Sequence, residues 1–213
     1  MVIENNIKLA QYTTYRVGGI ADYFIIAESE KDFIAASSFS KNNKVKFLVL
    51  GWGSNVLISD HGFRGLVVVN KYSKFEIIKD ILIVGSGMPI SLMLNRLFKE
   101  GISGFEKLVG IPGTIGGAIK GNAGAFGYNI SDNLISVKIL DLKDSKIKIM
   151  NKSEINFSYR NSNLDDLIIL EAKFKIKKAN PKDIQKNLNN YLMERRSKQP
   201  SGYSCGSFFK NPK

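Results

Sequence analysis

Short apolar runs at 22–27 and 46–50, rich in Ile, Val and Phe, bracket a segment from Glu30 to Ser40 in which Phe33, Ala36 and Phe39 fall on one side of a helix. That alternation predicts a β-α-β unit. The next apolar run, Leu66 to Val69, follows the turn-rich segment Ser59-Asp60-His61-Gly62-Phe63-Arg64-Gly65 and predicts a third strand. Runs at 75–78 and 81–84 on either side of Lys79-Asp80 predict two more, and Pro89 opens a helix that runs to Lys99 and is closed by Gly101. Alternating runs at 134–140, 146–150 and 168–176 predict further strands, followed by a charged helix from Lys182 to Ser197. The strand pattern ends at Ala179-Asn180-Pro181, the expected boundary, and no internal repeat or low-complexity linker interrupts it.

The 213 residues suffice for one large domain or two small ones with real cores. No apolar run approaches the roughly 20 residues that span a bilayer, and Met1-Val2-Ile3-Glu4 lacks the basic-then-apolar order of a signal peptide. A cytoplasmic protein without membrane contact is expected. Cys205 is the only cysteine and cannot form an internal disulfide, which fits a reducing compartment. The charge of +12 would attract polyanions, but the lysines are dispersed along the chain with no aromatic-basic motif, so no nucleic-acid partner is expected. No Cys, His and carboxylate cluster has metal-ligand spacing, so no metal is expected. The single histidine, His61, sits in the turn-rich segment and is expected to face solvent.

Glycine changes the picture. Leu50-Gly51-Trp52-Gly53-Ser54-Asn55-Val56-Leu57 follows a buried strand, and glycines at alternate positions let consecutive N–H groups point at phosphate oxygens. A plain tight turn is the competing reading. The loop is not a Rossmann fingerprint, because Val56 stands where the third glycine belongs, and no Gly-Lys-Ser/Thr makes it a Walker loop. The second stretch is denser: nine of the 19 glycines lie between Gly101 and Gly127, and nothing larger than Ile occurs from Gly113 to Ile119. A flat partner could lie directly on that backbone, or chain could pack closely on chain. So many glycines cost conformational entropy on folding, which a bound cofactor would offset.

The elements occur in a fixed order: Thr13-Thr14-Tyr15-Arg16-Val17-Gly18-Gly19; Gly51-Trp52-Gly53-Ser54-Asn55-Val56-Leu57; Gly104-Phe105-Glu106 with Gly110-Ile111-Pro112-Gly113; Asn122-Ala123-Gly124-Ala125-Phe126-Gly127; Tyr159-Arg160; Arg195-Arg196 with Gln199-Pro200; and Gly206-Ser207-Phe208-Phe209-Lys210-Asn211-Pro212. In this order, over almost the whole chain, they resemble the MurB family, the UDP-N-acetylenolpyruvoylglucosamine reductases of peptidoglycan precursor synthesis. The resemblance implies an α+β chain with an FAD-binding fold of the vanillyl-alcohol-oxidase (PCMH) type. Two subdomains, 1–72 and 73–179, would hold FAD, and 180–213 would begin a substrate domain. A monomer is expected.

The same resemblance assigns residues. The FAD diphosphate would lie on Gly51, Trp52, Gly53, Ser54 and Asn55, with Trp52 either stacking on the cofactor or covering the loop. The flavin ring would lie near Gly113, Thr114, Gly117, Ala118, Asn122 and Ala123, with Arg195 and Gln199 close by. NADPH would supply hydride, which then passes to the β-carbon of UDP-N-acetylglucosamine enolpyruvate. Negative charge would build on the neighbouring carbon and its carboxylate, a task for the guanidinium fork of Arg160. Ser207 would donate the proton, with Lys210 nearby, while Tyr159, Lys210 and Asn211 would contact substrate. Bland alternatives are a strand-end ion pair for Arg160, a turn or cap for Ser207 and a small filler for Cys205.

Two departures shape the expectations. Members of the family continue beyond the Ser207 motif and supply a catalytic glutamate there, whereas Lys213 is last here. The implied substrate domain is therefore incomplete, its opening helix is expected to expose Ile184, Leu188, Tyr191 and Leu192, and the tail from Asn180 is expected to be mobile and turnover poor. The spacing from Gln199 to Ser207 is also short. A tyrosine-bearing insertion found in one subgroup is missing, which places the chain with the shorter subgroup. An FAD-binding remnant without catalysis, or another flavin oxidoreductase of the same fold, are the competing functions.

Overall fold

The computed structural model describes residues 2–198 and 202–206. The chain begins with strand β1 (Glu4–Lys8), β2 (Ile20–Ala27), helix α1 (Glu30–Asn42), β3 (Lys46–Leu50) and β4 (Phe63–Asn70). These strands form one sheet in the order β1-β2-β4-β3, in which β2 and β3 run parallel to β4 and β1 runs antiparallel to β2. The expected β-α-β unit is there, but β4 is inserted between its two strands. β1 escaped the hydrophobic pattern because Glu-Asn-Asn-Ile-Lys is an edge strand with little to bury. α1 starts at Ser29, whose hydroxyl accepts the Asp32 N–H while the Asp32 carboxylate takes the Ser29 N–H, a reciprocal cap.

The second layer contains β5 (Phe75–Ile78), β6 (Ile81–Gly85), α2 (Ile90–Lys99), β7 (Ile102–Ser103), α3 (Ile115–Lys120), β8 (Gly124–Ala125) and β9 (Tyr128–Asn129). It continues through β10 (Leu134–Asp141), β11 (Ile147–Asn151), β12 (Phe157–Ser158), β13 (Asn161–Ser162), β14 (Leu167–Lys175) and β15 (Lys177–Lys178) to α4 (Pro181–Lys198). Five of these strands form an antiparallel sheet in the order β11-β10-β14-β6-β5. Its face is covered by Met93, Leu94 and Leu97 of α2 and by Ile115 and Ile119 of α3.

A shared core joins the two sheets. Ile25, Ala27, Phe33, Ala36, Leu66 and Val68 from the first layer pack with Leu140 of β10 and with Ile168 and Leu170 of β14. The expectation of an unpacked α4 is not met. Ile184 and Leu188 are 2% and 8% exposed, because the helix lies on α2, β7 and the 3-10 turn Glu106–Leu108. The apolar stripe of the helix is covered by that neighbouring surface. Among the described residues no helix is long and apolar enough to cross a membrane.

Candidate cofactor and substrate site

The first glycine loop leaves the C-terminal end of β3, the end at which parallel strands of α/β sheets present ligands. Gly53 adopts φ +62°, and a Cβ there would lie 2.2 Å from the Tyr12 carbonyl oxygen. Only glycine permits that approach. It lets the Thr14 N–H donate to the Gly53 carbonyl at 3.1 Å, so residues 12–14 back the loop. Trp52 projects outward and is 41% exposed, Asn55 is exposed, and Gly51 and Ser54 are half-buried.

The second stretch is laced to the turn between β6 and α2. Ile90 N–H donates to the Gly113 carbonyl at 3.0 Å, Ile115 N–H to that of Met88 at 3.0 Å, and Gly116 N–H to that of Ser86 at 2.8 Å. Part of the stretch is helical, since Thr114 caps α3 by accepting the Gly117 N–H. Helical winding turns Ala118 inward with Ile115 and Ile119, so its methyl group lies in the core. Gly117 is exposed and keeps its main chain bare. The two glycine stretches meet: Ser54 Oγ donates to the Pro112 carbonyl at 3.1 Å, and a Cβ on Gly51 would sit 2.5 Å from Thr114 Oγ1.

Arg160 occupies the second turn position of the β12–β13 hairpin with φ +56°, a conformation that normally selects Gly or Asn. That strain aims its guanidinium at the second stretch, where it donates to the Gly124 carbonyl at 2.6 Å and the Asn122 carbonyl at 3.4 Å. Asn122 and Phe126 also have positive φ. Tyr159, exposed, lies beside the Arg160 guanidinium. Arg195 reaches the same place from α4, its Cδ 2.6 Å from where a Gly110 Cβ would be. Burial and the neighbouring Arg160 charge both push the Arg195 guanidinium below its ordinary value. Neither arginine forms an ion pair among the described residues.

Two buried polar atoms here have no partner among the described residues. They are Arg195 Nε and Asn122 Oδ1, the latter on a residue only 5% exposed whose Nδ2 donates to the Ser158 carbonyl at 3.1 Å. Ala123 is half-buried against the core. Two like charges without a carboxylate, next to an acceptor lacking a donor, suit a ligand that is anionic and carries an N–H. The flavin ring of FAD would supply such an N–H in its imide, and a bound carboxylate would supply the negative charge.

Ser207, Gln199, Lys210 and Asn211 lie outside the described residues. Gly206 is described, and a Cβ on it would lie 3.8 Å from Asn55 Oδ1 and the Ser54 carbonyl. Thr14 Oγ1 donates to the Ser204 carbonyl at 2.6 Å and Arg16 stacks on Tyr203, so residues 203–206 return to the first loop. Cys205 is buried there as a free thiol, and His61 is exposed. The sequence reading did not assign Thr14, Phe126 or Tyr191 to the site. Phe126 stacks on Tyr191 with ring centroids 4.9 Å apart, which fastens α4 beside the glycine stretch. Thr14 and Phe126 belong to two of the motifs that carry the family resemblance, the one signal in the sequence that pointed to them.

Residues 21–151 match the family described as FAD binding domain. The fold and the paired loops thus define a flavin-binding protein of the PCMH type. The reductase of Clostridium novyi (strain NT), UDP-N-acetylenolpyruvoylglucosamine reductase, is 37% identical over 99% of this chain and 69% of its own length. The protein of the same name from Petrotoga mobilis is 36% identical over 99% of this chain and 72% of its own. The crystal structure of the enzyme (MurB) from Thermus caldophilus superposes with a TM-score of 0.87 at 30% identity, covering 100% of this chain and 76% of that one. The chain belongs to the UDP-N-acetylenolpyruvoylglucosamine reductase family. Phl p 4.0202, a glucose dehydrogenase, shares the fold alone, at 16% identity and a TM-score of 0.63 over 81% of this chain and 39% of that one.

Proposed function

We propose that the chain binds FAD across its two glycine stretches and, with NADPH as hydride donor, reduces UDP-N-acetylglucosamine enolpyruvate to UDP-N-acetylmuramate for peptidoglycan synthesis. We assign it as a monomer working in the cytoplasm, with 1–72 and 73–179 as the flavin-holding subdomains and 180–213 as the opening of the substrate domain. The observation that carries the reading is the Arg160–Arg195 pair, charged alike, with no carboxylate partner among the described residues and beside Asn122 Oδ1, which has no partner among them either.

FAD, when bound, supplies the site that accepts hydride from NADPH and delivers it to the substrate. Gly51, Trp52, Gly53, Ser54 and Asn55 would hold its diphosphate, and Gly113, Thr114, Gly117, Asn122 and Ala123 the ring, with Asn122 Oδ1 accepting the imide N–H. Hydride addition to the β-carbon of the enolpyruvyl group leaves charge on the adjacent carbon and its carboxylate. Arg160, already fixed by two carbonyls, would pair with that carboxylate through its remaining N–H groups, and Arg195 would add a second positive field. Ser207 would deliver the proton to the charged carbon, and Tyr159, Lys210 and Asn211 would hold the substrate.

Purified protein should show flavin absorbance at about 450 nm. NADPH should bleach it, and NADPH consumption should become continuous when the enolpyruvyl substrate is added. A colourless protein that takes up no FAD overturns the reading. Yellow protein that NADPH does not bleach would instead be an FAD-binding remnant.

A further inference from the structure

Asn70 ends β4, 4% exposed, and bonds the turn between β6 and α2 to which the second glycine stretch is laced. Leu50 of β3 pairs with Val69 of β4, so the first glycine loop departs beside Asn70. Both ends of its amide are engaged. Nδ2 donates to Ser86 Oγ at 2.7 Å, and Oδ1 accepts the Tyr72 N–H at 3.1 Å.

Ser86, fully buried, lies in the turn that carries the second stretch. Its N–H donates to the Leu170 carbonyl of β14 at 2.8 Å, and its carbonyl accepts the Gly116 N–H at 2.8 Å. There is no slack around it. A Cβ on Gly87 would lie 2.4 Å from Asn70 Oδ1, and one on Gly116 2.9 Å from the Ser86 Cβ. The path from Asn70 to Ser86 to Gly116 therefore runs through buried polar bonds at van der Waals closeness, from the end of the first sheet to the backbone of α3.

We propose that Asn70, acting through Ser86, is a positioning residue that sets the separation of the two FAD-bearing stretches and so the placement of the flavin relative to substrate. The proposal rests on the FAD reading above. An amide suits this position because it serves a backbone donor and a hydroxyl at once. An apolar residue would leave the Tyr72 N–H and Ser86 Oγ unpaired in a dry interface.

The test compares Asn70→Ala, Ser86→Ala and Asn70→Asp with wild type, using Tyr72→Phe as a control. The control removes the Tyr72–Glu171 hydroxyl bond from the same interface without touching the turn. FAD affinity, the shape of the flavin absorption band, and kcat and KM for the enolpyruvyl substrate are read at a temperature where circular dichroism shows each variant folded. Asn70→Ala and Ser86→Ala should bind FAD about tenfold more weakly, alter the band, and lower kcat while KM holds. Asn70→Asp keeps both bonds only by burying a carboxylate with no cation beside it, so it should weaken FAD binding at least as much as Asn70→Ala. Tyr72→Phe should lower the melting temperature and leave the flavin properties alone. Wild-type affinity and spectrum in folded Asn70→Ala overturn the proposal, as does an equal flavin effect in Tyr72→Phe. Should Asn70→Ala fail to fold, the same criteria apply to Ser86→Ala. Failure of wild type itself to bind FAD removes the functional reading and this proposal with it.

Discussion

Gly53 and Gly127 offer a controlled comparison, since both sit in the left-handed region, at φ +62° and +71°. An alanine in that region costs about 1–2 kcal/mol. Restricting the unfolded chain returns about 0.4–1 kcal/mol of it. At Gly127 a new methyl group meets nothing within 4 Å, so Gly127→Ala should lose about 1 kcal/mol of stability. At Gly53 the methyl would lie 2.2 Å from the Tyr12 carbonyl oxygen and 2.7 Å from the Thr13 Cα, and these backbone atoms cannot rotate aside. Overpacking adds about 1–3 kcal/mol, which brings Gly53→Ala to about 2–4 kcal/mol. Urea unfolding followed by circular dichroism measures both. The Gly53 variant should also release FAD in a fluorescence titration, because loop 51–55 is pushed off residues 12–14, while the Gly127 variant should retain it. Stability losses equal to within about 0.5 kcal/mol would show that residues 12–14 do not back the loop, and the nest argument would fail.

Arg160→Lys should cut kcat about 100-fold with the flavin spectrum intact, since an ammonium cannot span the Asn122 and Gly124 carbonyls and still present a planar fork; stopped-flow oxidation of the reduced enzyme would show it. Ile184→Ala should cost about 2–4 kcal/mol and strip hydrogen-exchange protection from α4 before the sheets, whereas unchanged protection would mean the helix is not held by its apolar stripe. Burial alone would raise the Glu171 carboxyl, but the Tyr72 hydroxyl and Lys74 ammonium hold its anion and bring it below the ordinary 4.5. The unfolded chain then binds more protons, so this stabilisation is complete above pH 4.5 and is lost as pH falls through the lowered folded value. Glu171→Gln should flatten that acid limb in urea midpoints collected from about pH 6 to pH 3.

Elements with strong periodicity were legible. The Lys79-Asp80 hairpin, the Pro89–Lys99 helix and the three long strands of the second sheet all sit where alternation places them. β1 was not, because an edge strand with mostly exposed residues leaves no apolar period. α3 was hidden by Gly116 and Gly117, which oppose helix formation; tertiary hydrogen bonds to Ser86 and Met88 override that propensity. In the site, the glycine loops and Arg160 could be named from motifs. Their meeting through Ser54 and Pro112, separated by 58 residues, could not, because nothing local encodes a contact at that range. The packing of α4 was misjudged for a related reason: an apolar stripe shows that a helix will be covered, not by what.

The core shared by Phe33, Leu66, Leu140, Ile168 and Leu170 belongs to neither sheet alone. A hinge opening the molecule between its halves would have to bring that grease into water, so the halves cannot swing as clamshell jaws do. A cofactor must slip in from the rim while the walls stand still, and adjustment to substrate falls to side chains and to the segments resting on the outside. Heat or denaturant should accordingly dissolve both halves in one event, with no intermediate in which one of them survives without the other.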